Sequence, residues 1–324
     1  MAPKGWLDIH GHFTIPKSDE VAQKELELFH SVDFMVYEPW RWTPEGQLPY
    51  LDRANVQMQM LSYLPRTLSA LKNANDYGAQ IVANHSSRFG LLLALPTDDP
   101  EACLAEIKRG DAYPVPNDGY ATITVYNNVS LSDERLESVW NELDARKAVV
   151  HVHPDANKKG TDGRPSPLID VAFDTARTAT DMLYKGVFRR WPNIKWVFGH
   201  CGGALPVLSG RLSLLGAESW VPNPLNLTRE EIETTLGRLY VDTAATAKTG
   251  LAPAIKMVGV KNIVYGADCG VPCSTDATMD ENQQDVLDTE RSMFGEEGAG
   301  VIAGNGWNLF PAAAKRAEEG QKGK

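Results

Sequence analysis

Eight short apolar runs, separated by longer stretches that mostly have helical periodicity, are the feature of this chain that most restricts its fold. They are "WLDIH" (6–10), "VQMQMLSYL" (56–64), "FGLLLALP" (89–96), "YATITV" (120–125), "AVVHVHP" (148–154), "IKWVFGH" (194–200), "RLYVDTA" (238–244) and "NIVYGAD" (262–268). Most are rich in Val, Ile, Leu or aromatic residues and stop near a polar residue or a turn former, the pattern of buried strands. Between them, "SDERLESVWNELDARK" (132–147) places Leu136, Val139, Trp140 and Leu143 on one helical face, with Ser132 as the N-cap. "PLIDVAFDTARTATDMLYKGVFRRWP" (167–192) reads as a long helix broken near Gly186, and "REEIETTLGR" (229–238) as another with an acidic first turn. Strand–helix alternation of this kind predicts an α/β protein, a parallel (β/α)8 TIM barrel. The alternative is an open doubly wound sheet. Its nucleotide-binding form carries a Gly-rich phosphate loop after the first strand, which "HGHFTIP" is not.

The 324 residues, 43% hydrophobic, suit one barrel domain spanning 1–324. Residues 16–49 show no clear strand and at most a short helix. They read as a long insertion after the first strand, which in a barrel lies over the catalytic face. Residues 315–324, in "KRAEEGQKGK", read as a solvated tail. The net charge is −10 and the basic residues form no stripe, so nucleic acid is not an expected partner. No apolar run has the length of a membrane span or a signal peptide, and four cysteines do not make a disulfide framework. The expectation is a cytoplasmic protein with no membrane partner.

In a barrel the C-terminal ends of all strands converge on one face. The first run ends in His10 and His12, the fifth in His151 and His153, the sixth in His200 and the eighth in Asp268. Five of the seven histidines sort this way; only His30 and His85 fall outside. Alternation along a strand puts His10 and His12 on one face. Imidazoles with one carboxylate are a ligand set for a divalent ion that keeps an open position, Zn2+ first and Mn2+ as the alternative. Of the fifth-strand pair, His153 is nearer the strand end and is the expected ligand, with His151 a packed or hydrogen-bonded core residue.

The blocks "DIHGHF", "RFGLLLALP", "VVHVHP", "GHCGGALPVLSGR", "YVDTA", "VYGAD" and "GNGWNLFP" resemble the amidohydrolase superfamily. Within it they resemble the metal-dependent decarboxylase branch typified by aminocarboxymuconate-semialdehyde decarboxylase, with its γ-resorcylate, isoorotate and methylsalicylate relatives. The resemblance implies a metal held by His10, His12, His153 and Asp268. It implies that His200 contacts the metal-bound water or the substrate. It also implies that Arg211 binds a substrate carboxylate, often across a homodimer interface. The lysine that bridges two metals in many amidohydrolases is missing from the fourth strand, "YATITVYNN", so one metal is implied. The sequence departs from the branch after Asp268, where Cys269-Gly270-Val271-Pro272-Cys273 replaces an aromatic followed by proline.

The implied reaction is non-oxidative decarboxylation of a small aromatic or unsaturated (hydroxy) carboxylic acid. Asp268 is the candidate acid and His200 orients or relays the proton; in a muconate-type route His200 acts on water instead. The alternative activity is a metal-dependent hydrolase or hydratase with the same ligands. Arg41, set between Trp40 and Trp42, is a second candidate for binding an anionic group, or else a solvated loop charge. Arg211 is expected on a helix starting near Gly203, too far from its own metal to serve it.

Overall fold

All eight runs form strands in the computed structural model, which describes residues 3–322. They are β1 (Trp6–His12), β2 (Val56–Ser62), β3 (Phe89–Ala94), β4 (Gly119–Ile123), β5 (Val149–His153), β6 (Lys195–Phe198), β7 (Tyr240–Asp242) and β8 (Ile263–Val264). They pair in chain order and in parallel. The two ends of the ring meet where Ile9 N donates to Tyr265 O (3.0 Å) and His12 N to Cys269 O (2.7 Å). These contacts nearly close the eight-stranded ring, so the open doubly wound alternative does not apply.

The outer layer follows the helical patterns. Leu136, Val139, Trp140 and Leu143 are buried, the last three on α5 (Glu137–Ala145). There Val139, Trp140 and Leu143 share a cluster with Val150 and Val152, the β5 residues that alternate with the two histidines. The N-cap differs from expectation. Asp133, not Ser132, caps the preceding turn by accepting from Arg135 N, while Ser132 Oγ is drawn to Asp181. The long helix breaks as its glycine suggested. α6 (Asp170–Tyr184) ends before Gly186, which takes φ 74°. Such an angle costs a side-chain-bearing residue about 1–2 kcal/mol. Helix α8 (Leu205–Leu215) follows β6.

Two stretches are more ordered than the sequence suggested. The insertion holds a thirteen-residue helix, α1 (Asp19–Ser31), capped by Ser18, and the start of α2 (Pro44–Arg53), capped by Thr43. The expected solvated tail belongs to a helix over Pro311–Lys322. Ala313 and Ala317 are buried there, and Arg316 grips Asp118 with two bonds, of 3.0 and 2.9 Å. Charged letters hid an apolar stripe of small residues. Residues 323 and 324 lie outside the described part.

Candidate metal centre

β1 delivers its histidines because alternation puts Asp8, His10 and His12 on one face, and that face turns into the barrel. His10 Nε2 lies 3.1 Å from His12 Nε2, and the two lie 3.5 and 3.2 Å from Asp268 Oδ1. His200 Nε2 lies 3.5 Å from Asp268 Oδ2. Ligand atoms of His10, His153, His200 and Asp268 all fall within 4.8 Å of one another, and the His153 ring centroid stands 4.9 Å from that of His12. The structure therefore gathers all four residues expected to hold a metal, with His200 beside them.

The outward nitrogens explain why these residues fit a cation. His12 Nδ1 bonds to Ser62 O (3.3 Å), His153 Nδ1 to Pro154 O (2.6 Å), and His10 Nδ1 to the Asp242 carboxylate (2.8 Å). Carbonyl and carboxylate oxygens only accept, so each Nδ1 carries the hydrogen and each Nε2 is left as a lone pair. Lone pairs of neutral imidazoles and a carboxylate, facing each other at 3.1–3.5 Å, repel unless a cation lies between them. Burial keeps two of the imidazoles neutral, those of His10 and His153. It lowers His10 to about 4, and it lowers His153 well below the ordinary range together with the neighbouring histidines. Burial alone would raise the Asp268 carboxyl; imidazoles of His10, His12 and His200 that carry a proton toward it reverse this and hold it well below its usual value, the role a bound cation would take where they are neutral. His200 moves the other way. Burial lowers it, but Asp268 and Asp242 prevail and raise it.

A second buried carboxylate lies behind the first, and sequence reasoning gave it no role. Asp242, the last residue of β7, accepts from His10 Nδ1 and His151 Nε2 (both 2.8 Å) on Oδ2, and from the backbone N–H of His200 (2.9 Å) and Ala244 (3.0 Å) on Oδ1. It fixes the tautomer of one expected ligand and the entry of the His200 loop. His151 is the hydrogen-bonded core histidine it was expected to be. The signal for Asp242 was present: "RLYVDTA" carries a carboxylate two residues before its end, much as "NIVYGAD" carries one at its end. Asp8 acts similarly one layer further in. Its Oδ1 accepts from His10 N and Ala267 N (both 3.0 Å) and its Oδ2 from Gln59 (2.7 Å). Gly266 lets β8 come this close, since a Cβ there would meet His10 Cβ at 2.8 Å. His200, Cys201 and Asp268 all adopt left-handed φ, of 55°, 54° and 54°. Backbone strain of this kind, about 1–3 kcal/mol per residue, gathers at functional sites.

Above the centre is a cavity of 430 Å³ lined by His12, His153, His200 and Asp268 together with Phe34, Trp40 and Tyr63. The two candidate arginines are elsewhere. Trp40 lines the cavity, bonding to Gly270 O, and Trp42 is buried; Arg41 between them turns outward to Asp19 (2.5 Å) and Lys17 O. It does not line this cavity, and of its two readings it matches the loop charge rather than the anion binder. Arg211 lies on the exposed side of α8 and makes no ion pair or hydrogen bond among the described residues. The cavity's own arginine is Arg66, in the loop after β2, which drew no attention in the sequence.

The amidohydrolase family model matches residues 7–292. The decarboxylase yanB of Aspergillus niger is 30% identical over 232 residues, 64% of this chain and 61% of that protein, so the chain spans under two thirds of that relative. A 2-amino-3-carboxymuconate-6-semialdehyde decarboxylase of Dictyostelium discoideum is 28% identical over 289 residues, 83% of this chain and 76% of that protein. Among solved structures, a dihydroxybenzoic acid decarboxylase from a Polaromonas species, with bound manganese and the inhibitor 2-nitroresorcinol, superposes with a TM-score of 0.74 at 19% identity. It covers 95% of this chain and 97% of its own.

Proposed function

The chain belongs to the amidohydrolase family, and from that premise we propose that it is a metal-dependent decarboxylase of a small aromatic hydroxy carboxylic acid. The observation that carries the reading is the group of Nε2 lone pairs and the Asp268 carboxylate converging under a cavity walled by Phe34, Trp40 and Tyr63. Curated relatives named as decarboxylases favour CO2 release over the hydrolase or hydratase alternative. His10, His12, His153 and Asp268 would hold one divalent ion, Zn2+ in our reading, with Mn2+, present in the Polaromonas protein, as the alternative. Such an ion supplies a positive charge that chelates a carboxylate and an adjacent hydroxyl and draws electron density toward them.

The chain's own residues do the rest. The aromatic walls hold the ring and keep water off its face. A proton passes along the Asp268 Oδ2–His200 Nε2 pair to the ring carbon that bears the carboxylate. The bond from that carbon to the carboxylate then breaks, CO2 leaves, and the electron pair restores the ring. We place the activity in a homodimer. On α8, Val207 and Leu214 are exposed on the turns next to Arg211, and Phe173 is exposed on the neighbouring α6; among the described residues Arg211 has no ion-pair partner. Arg211 would contact the substrate carboxylate of the partner. The four unpaired cysteines fit a reducing compartment, the cytoplasm.

The test is CO2 release from a panel of hydroxybenzoates with and without chelator. Chelator-sensitive release supports the reading. Hydrolysis or hydration without CO2 overturns it. For Arg211, reassociated mixtures of the inactive Arg211→Ala and His153→Ala variants regain activity if it acts across the interface; no recovery in verified mixed dimers rejects that role.

A further inference from the structure

Arg66 and Asp155 form a ready-made pair in the wall of the cavity. Arg66 lies in the loop after β2, and Asp155 is two residues beyond His153 on β5. Arg66 Nη2 lies 2.5 Å from Asp155 Oδ2, and Nη1 donates to Val125 O (3.0 Å). The guanidinium sits over the Tyr126 ring at 5.5 Å. The loop beneath it is pinned at two points. Tyr126 Oη donates to Pro65 O (2.7 Å) and Asn127 Nδ2 to Arg66 O (3.0 Å). Asp155 Oδ1 accepts from Asn157 N (3.2 Å). Both side chains are thus held in place before anything binds. Among the described residues that line the cavity, Arg66 is the only lysine or arginine.

We infer that the Arg66–Asp155 pair recognises a ring hydroxyl on the substrate and rejects a second carboxylate at the same position, so that the substrate class is a hydroxylated monocarboxylic acid. The inference rests on the decarboxylase reading for the fate of the first carboxylate. A guanidinium has five N–H donors, and the bonds to Asp155 and Val125 use two. Its charge is already answered by Asp155. A hydroxyl can accept from a remaining Arg66 N–H and donate to the Asp155 carboxylate, so it satisfies both members. A carboxylate can only accept, and it would bring a second negative charge beside Asp155 in a cavity whose other walls are largely apolar. The metal ligands would provide for one carboxylate, and this wall provides for none.

The test uses metal-loaded protein of measured metal content. Binding is followed by calorimetry with pairs of salicylates that carry either a hydroxyl or a carboxylate at ring position 3, 4 or 5. For at least one position the wild type is expected to bind the hydroxyl member tighter by about tenfold or more. Asp155→Asn, which leaves Arg66 unanswered, should narrow or reverse that preference. Arg66→Gln, which leaves Asp155 alone, should widen it while weakening the hydroxyl member. The opposite signs mean that either variant suffices if the other does not fold. A ratio unmoved in both variants, a wild type that favours the dicarboxylates, or no binding of any salicylate overturns the inference. Because binding is read apart from turnover, the expected ratios without CO2 release would sustain this subsite while refuting the decarboxylase. CO2 release with unmoved ratios would do the reverse.

Discussion

Asp242, the buried last residue of β7, and Asp268, a half-buried residue in the loop after β8, both lie beside His10 and are both held well below the usual carboxylate range. Their surroundings differ in kind. Asp242 is fully enclosed and receives four hydrogen bonds from protein donors, two imidazole and two backbone. Its charge is answered within the fold. Asp268 retains 14% side-chain exposure toward the cavity and faces the Nε2 atoms of His10 and His12, which in the tautomers set by their outer bonds have no proton to give. Its charge asks for a cation from outside. The same residue type therefore sets the site at one depth and, in the proposed function, would serve as ligand and acid at the next.

The largest way to break this comparison is Asp268→Asn. It should remove the metal and lower kcat by about 10⁴ or more, the upper end of what a positioned proton donor contributes, because ligand and acid are lost together. Elemental analysis showing stoichiometric metal in this variant, with metal lost from Asp242→Asn, would exchange the two roles. His200→Ala should lower kcat by about 10²–10⁴ while metal content stays near normal. Loss of metal would instead make His200 a ligand, a point worth measuring because it belongs to the four-residue group within 4.8 Å. Asp242→Asn should weaken metal affinity or activity by about 10–100-fold, the usual scale for a partner that orients a ligand histidine. A competition titration against a chelator reads this directly.

The smallest effect concerns Asp8, whose carboxyl burial pushes up to about 6 despite its bonds from Gln59, His10 and Ala267. A carboxyl raised in the folded state binds more protons there than when unfolded. Its destabilising ionisation therefore sets in as pH rises from about 4 to about 6 and is complete above that. At about 1.4 kcal/mol per pH unit the loss approaches roughly 3 kcal/mol. In metal-free protein, the stability of wild type relative to Asp8→Asn should fall across that window. A flat difference in denaturant midpoints between pH 4 and 6 would show that Asp8 is not held protonated by the fold.

How much of this was readable in the sequence varies with the residue. The strands were readable because burial on both faces writes a near-continuous apolar run, and the converging histidines and Asp268 because they lie at or just past the ends of such runs. His151 and His153 were separable because one is nearer the strand end. The two readings of Arg41 were not separable in the sequence, since a loop has no periodicity to say which side faces in; the two tryptophans took the inner positions and turned it out. The last helix was missed because Ala313 and Ala317 form a narrow stripe among charges.

The sequence by itself determined the eight-strand alternation and the convergence of His10, His12, His153, His200 and Asp268. These follow from local periodicity and from the geometry of any parallel barrel. Only the tertiary structure decided which nitrogen of each histidine faces the centre, because the partners that set the tautomers lie on other strands, His10 and Asp242 being 232 positions apart. It likewise decided that Arg66 and Asp155 meet in the cavity wall. No pattern within either segment encodes that pairing, which exists only once β2 and β5 stand in the same ring.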